Sequence, residues 1–127
     1  MKKLLLAVIV SLSTISTAAL AEIKVGIILG FTGPIETLTP AMRDSAKLAF
    51  AEVSDSGALL GGETITPLIG DSTCVDSDAA VAAAEIIVND GAVAIMGADC
   101  SGVTGAIATN VAVPNGVTMV SPSATSP

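Results

Sequence analysis

Ser101, Ser123 and Thr125 bring hydroxyls, backbone N–H groups and carbonyls to two loop-like stretches, GADCSG at 97–102 and SPSATSP at 121–127. Such groups can hold a charged ligand through hydrogen bonds. They cannot make a Ser-His-Asp or Cys-His unit, because the chain contains no histidine. A His/Cys zinc site is excluded for the same reason. Neither Ser101 nor Ser121 lies in a G-x-S-x-G elbow. The run GIILGF at 26–31 lacks G-x-G-x-x-G spacing, and no phosphate-loop lysine motif occurs. The chemistry indicated is binding without catalysis, with no cofactor and no metal.

Ser101 is the strongest single candidate. It opens a predicted helix, where unpaired N–H groups and the positive end of the dipole favour an anion such as a carboxylate. Its hydroxyl could equally serve only as the helix cap. Asp99 would oppose an anion there unless it points away or meets a cation. Thr125 offers a hydroxyl and an N–H, and the Ser123 carbonyl can accept from an ammonium. The same tail also reads as an ordinary polar turn. Cys74 and Cys100 follow the second and third predicted strands, and two cysteines in an exported protein are most simply one disulfide. Closing that loop would stabilise the fold by about 3 to 4 kcal/mol on the chain-entropy account. Two buried free thiols are the alternative. The two strands flank the first and lie about 9 to 10 Å apart, so only their loops can bring the sulfurs together.

The elements that must position these residues can be read from apolar runs and turn signals. Residues 23–30 (IKVGIILG), 92–97 (AVAIMG) and 117–121 (VTMVS) read as buried parallel strands. Residues 63–69 (ETITPLI) form a fourth, which Pro67 assigns to a sheet edge because proline lacks the ladder donor. A first helix is predicted from Pro40 to Ser56, capped by Thr39 and ended by Gly57, with Met42, Ala46, Ala49, Phe50 and Val53 on its apolar face. A second runs from Asp78 to Asp90, capped by Ser77 and stopped by Gly91, and buries Ala80, Ala84, Ile87 and Val88. A third starts near Ser101 and ends before Pro114. The order β-α-β-α-β-α-β predicts an α/β fold with a parallel, doubly wound sheet. With the Pro67 strand at the edge, the strand order is 2-1-3-4. The switch point between strands 1 and 3 then places the ligand among the loops 31–38, 98–102 and 121–127.

Residues 1–21 have the layout of a cleavable secretory signal: Lys2 and Lys3, an apolar run from Leu4 to Val10, then Ala19-Leu20-Ala21. Five Ser and Thr residues between 11 and 17 interrupt any anchor of about 20 apolar residues. Residues 22–127 hold three basic groups (Lys24, Arg43, Lys47) against twelve acidic ones, a formal charge of −9. Nucleic acid is a poor partner for such a surface.

With these features the chain resembles the branched-chain amino-acid-binding family of periplasmic type I solute-binding proteins, which serve ABC importers. The resemblance rests on IKVGIILGFTGP at 23–34, the helix from Met42 to Val53, GDSTCVDSDAAVAAAEIIVNDG at 70–91, GADCSG at 97–102 and SPSATSP at 121–127. It implies a two-lobed periplasmic protein about three times as long, closing on its ligand by hinge motion. This chain would be the first part of its N-terminal lobe, stopping inside a binding loop. The resemblance gives Ser101 and the Thr125 N–H to the ligand α-carboxylate, and the Ser123 carbonyl and Thr125 hydroxyl to the α-ammonium, with Ala124 between them. It pairs Cys74 with Cys100. It implies an amino acid or related amide as ligand and a membrane permease as partner; a sensory lobe of the same fold is the other role it allows. Two positions depart from the family pattern. Leu38, a first-loop contact, stands where relatives often place an aromatic side chain, and Asp99 stands where they place an apolar one.

Overall fold

The computed structural model describes residues 22–126. The expected secretory signal, and Pro127, lie outside the described residues. The elements run in the order β1 (Glu22–Leu29), α1 (Thr39–Asp55), β2 (Thr64–Asp71), α2 (Ser77–Asn89), β3 (Ala94–Gly97), α3 (Ser101–Ile107), a π-helical turn (Ala108–Ala112), α4 (Val113–Asn115) and β4 (Thr118–Val120). All four strands are parallel and lie in the order β2-β1-β3-β4, as the sequence predicts. Pro67 sits on the edge strand β2, opposite Val25.

The central strand β1 pairs on both sides, and its second half, Ile27, Ile28 and Leu29, is fully buried. An unbroken apolar run fits such a strand because both of its faces are covered. The chain steps one way from β1 to β2 and back from β2 to β3. Right-handed crossovers therefore place α1 on one face of the sheet and α2 with α3 on the other.

The core lies mainly on the α2 and α3 face, where Ala80, Ala84, Ile87, Val103, Ile107 and Val111 meet Ile28 and Ile95. Ile87 lies across two neighbouring strands, above Gly26 on β1 and Gly70 on β2. A Cβ on either glycine would fall 2.8 Å from the Ile87 side chain, so the missing side chains are what let α2 approach the sheet.

Three helix boundaries differ from the sequence expectation. Leu38, not Thr39, holds the cap position of α1, and Thr39 is fully buried with its hydroxyl donating to the Gly30 carbonyl at 3.0 Å. Asp76, not Ser77, caps α2, its carboxylate accepting from the Asp78 and Ala79 N–H groups. The third helical segment continues through Pro114 instead of ending before it. The wider π turn at 108–112 shifts the hydrogen-bond register, and Pro114 enters as it would in the first turn of a new helix, where a missing N–H costs little. The apolar stripe foreseen for α1 is only partly covered: Met42, Ala46 and Phe50 are half-buried, while Ala49 and Val53 are exposed.

Candidate functional site

The loops that follow the four strands gather at the carboxyl edge of the sheet. On the β1 and β2 side the organiser is Asp71, the last residue of β2. Its carboxylate accepts from the Phe31 N–H (2.9 Å), the Thr32 hydroxyl (2.6 Å), the Thr32 N–H (3.3 Å) and the Thr73 N–H (2.8 Å). Partial burial pushes this carboxyl upward. The Thr32 hydroxyl and the three N–H groups outweigh burial and hold it below the usual carboxylate range. Sequence reasoning missed Asp71. The signal was an Asp at a strand end followed by Ser and Thr, residues that bond their own backbone in turns.

Cys74 and Cys100 form a disulfide with Cα atoms 5.2 Å apart. The flanking strands are bridged because Thr73 (φ 55°) and Cys74 (φ 71°) both take the left-handed conformation, which swings Cys74 across the end of β1. That conformation is costly for residues other than glycine, and Asp71 holds Thr73 in it. A Cβ at Gly30 would come within 3.2 Å of the Cys74 Cβ, so Gly30 leaves the room for the crossing.

On the β3 and β4 side the centre is the short stretch from Ala98 to Ser101. Asp99 is 5% exposed. It points inward, one of the two conditions under which the sequence reading let an anion approach Ser101. Its carboxylate accepts from the Gly30 N–H (2.8 Å), the Cys100 N–H (3.0 Å) and the Ser72 hydroxyl (3.3 Å). The tail attaches here by its own side chains: the Ser121 hydroxyl donates to the Ala98 carbonyl and the Ser123 hydroxyl to the Asp99 carbonyl. Ala124 donates its N–H to the Ser121 hydroxyl oxygen at 2.8 Å.

Ser101 and Thr125 meet. The Ser101 Oγ accepts from the Thr125 N–H at 3.1 Å and from the Ser126 N–H at 3.2 Å. Cys100 is the cap residue of α3, and no side chain caps that helix, so the simple capping role for the Ser101 hydroxyl does not hold. Two backbone donors thus converge on one neutral oxygen at the surface. Leu38, the other candidate, is 62% exposed at the start of α1. The Ser101 and Thr125 arrangement presents hydrogen-bond donors and acceptors at the surface. It suits the holding of a small polar group.

Comparison with known proteins bears on what that group is. Residues 22–127 match the profile of the periplasmic binding protein family. The chain belongs to that family. Its members are solute-binding proteins, not enzymes. The Leu/Ile/Val-binding protein BraC3 of Rhizobium johnstonii is 32% identical over 125 residues, covering 98% of this chain and 33% of the relative. A leucine-, isoleucine-, valine-, threonine- and alanine-binding protein of Pseudomonas aeruginosa is 34% identical over 105 residues, covering 83% of this chain and 27% of that one. Among solved structures, the branched-chain amino acid transporter substrate-binding protein LivJ of Streptococcus pneumoniae, in complex with isoleucine, superposes with a TM-score of 0.73 at 27% identity. That match covers 84% of this chain and 30% of LivJ. The chain spans about a third of the length of the curated relatives it matches. Among the described residues, no helix is long and apolar enough to cross a membrane.

Proposed function

We propose that residues 22–127 are the first part of the N-terminal lobe of a two-lobed, non-catalytic binding protein. In this reading residues 1–21 direct export, and the mature protein captures an amino acid, branched-chain or similar, or a related amide, in the periplasm. It delivers that ligand to the membrane permease of an ABC importer.

The observation that carries the reading is the convergence of the Thr125 and Ser126 N–H groups on the Ser101 hydroxyl, across two loops at the carboxyl ends of β3 and β4. A ligand carboxylate arriving there would offer those donors a charged acceptor in place of a neutral one, and charge-assisted hydrogen bonds are roughly twice as strong. The Ser101 hydroxyl would then turn from acceptor to donor. The Ser123 carbonyl and the Thr125 hydroxyl take the α-ammonium, with Ala124 on the same loop and Leu38 as the first-loop contact. The binding specificities in the names of the relatives support the ligand class, as does the isoleucine held by the S. pneumoniae protein.

Calorimetry on the full-length protein with leucine, isoleucine, valine and their amides tests the reading. Saturable binding of at least one is expected. Ser101→Ala and Thr125→Ala should each weaken it by about 1.5 to 3 kcal/mol, since each removes a hydrogen bond to a charged group. Unchanged affinity in both variants would end the site assignment, and no binding of any of these compounds would end the ligand assignment.

A further inference from the structure

We infer that Asp99 is a positioning residue for the ligand site, which fixes the loops bearing Ser101 and Thr125 from beneath without touching the ligand. The inference rests on the binding reading above. The Asp99 side chain joins the ends of three strands: Gly30 after β1, Ser72 after β2 and Cys100 at the start of α3. Its backbone carbonyl adds the fourth, through the Ser123 hydroxyl at 2.8 Å. Ser72 is itself fully buried.

A buried carboxylate is costly unless its oxygens are hydrogen-bonded. Among the described residues no lysine or arginine pairs with Asp99; the ion pair present is Arg43 with Asp44. Every donor that satisfies it comes from a loop end or from its own neighbour, so the carboxylate is satisfied only when those loops are in register. Burial thus turns the charge into a constraint on loop geometry. The constraint reaches Ser101 directly, because the Cys100 N–H that Asp99 holds belongs to the preceding residue.

Asparagine keeps the shape of the side chain but has one acceptor oxygen where aspartate has two, so it cannot accept from Gly30 on one side and from Cys100 and Ser72 on the other. The test is Asp99→Asn and Asp99→Ala in the full-length protein, read in two ways. The first is the amide NMR signals of Thr125 and Ser126, which do not touch the Asp99 side chain. The second is the affinity for leucine, isoleucine and valine. Both variants should shift the Thr125 and Ser126 signals and weaken binding by about tenfold or more, as the loss of groups that orient a binding shell does elsewhere. Ala84→Gly, on the buried face of α2 away from the loops, should lower stability without moving either readout.

Signal changes confined to Gly30 and Cys100, with affinity intact, would overturn the inference. An equal loss of affinity in Ala84→Gly would also overturn it, by making the effect one of global stability. If the parent protein binds none of the three amino acids, the binding reading falls, and the Thr125 and Ser126 signals alone decide the role of Asp99. Should Asp99→Ala fail to fold, Asp99→Asn and Ser72→Ala carry the same comparison.

Discussion

The two halves of the loop edge solve one problem with different acceptors. On the β1 and β2 side, N–H groups from two loops and the Thr32 hydroxyl fall on the carboxylate of Asp71. On the β3 and β4 side, the Thr125 and Ser126 N–H groups fall on the neutral hydroxyl of Ser101. A charged acceptor holds its donors tightly and leaves them unavailable to anything else. A hydroxyl holds them in place yet lets a stronger acceptor take them over. On the proposed binding reading the first half, Leu38 apart, is scaffold, and the second is where a ligand would compete.

Four variants break or sharpen that contrast. The largest effect is expected at Gly97, which joins the halves at the end of β3. It has φ 143°, and a Cβ there would collide with the Ile28 backbone carbonyl. Gly97→Ala should cost about 4 kcal/mol or more, enough to abolish folding in a urea titration, because strain and overlap coincide.

Next is the disulfide that ties the halves covalently. Cys74→Ser with Cys100→Ser should lower stability by about 3 to 4 kcal/mol, measured as the urea midpoint against the oxidised parent.

Asp71→Asn should cost about 1 to 2 kcal/mol at neutral pH through lost hydrogen bonds. Its pH dependence is the sharper test. The folded carboxyl lies below its ordinary value of 3.8. Its contribution is therefore fully present above that value and is lost as pH falls through the lower folded value. The stability gap between parent and Asp71→Asn should narrow on acidification below pH 3.8, and a constant gap would show that the carboxylate is not what holds this half.

The smallest effect on stability is expected at Ser101. Ser101→Ala should change the midpoint by less than about 1 kcal/mol, because its two donors are at the surface and water can take them. A larger loss would make Ser101 scaffold, like Asp71, and erase the difference between the halves.

The sheet was legible because its evidence is local and repeated. Apolar runs of strand length, separated by helical patterns, allow few arrangements, and Pro67 picks out the edge. The disulfide was legible as a pairing, yet the means of closing it was not, since nothing in Ser72-Thr73-Cys74 announces two left-handed residues in succession. Caps were misread by one residue at Thr39 and Ser77, where neighbouring residues compete for the same role and packing decides. Pro114 looked like a terminator because the π turn before it leaves no mark in the sequence. Asp99 looked like an obstacle to an anion, and the direction of a side chain is settled only by the donors that the fold brings to it. Ser101, Ser123, Ala124 and Thr125 were proposed as ligand contacts from the sequence, and they lie on two adjoining loops.

The seat of Ile87 over Gly26 and Gly70 makes α2 a clamp across β1 and β2. Ten residues separate Ile87 from the start of that helix at Ser77, a span of about 15 Å at the α-helical rise. A methyl group added at Gly70 would press on the Ile87 Cδ1 that rests there, at 2.8 Å. Asp76, the cap of that helix, lies two residues beyond Cys74, whose sulfur is bonded to Cys100. One helix is thus pinned twice, by the disulfide just ahead of its cap and by a single isoleucine seated on two strands.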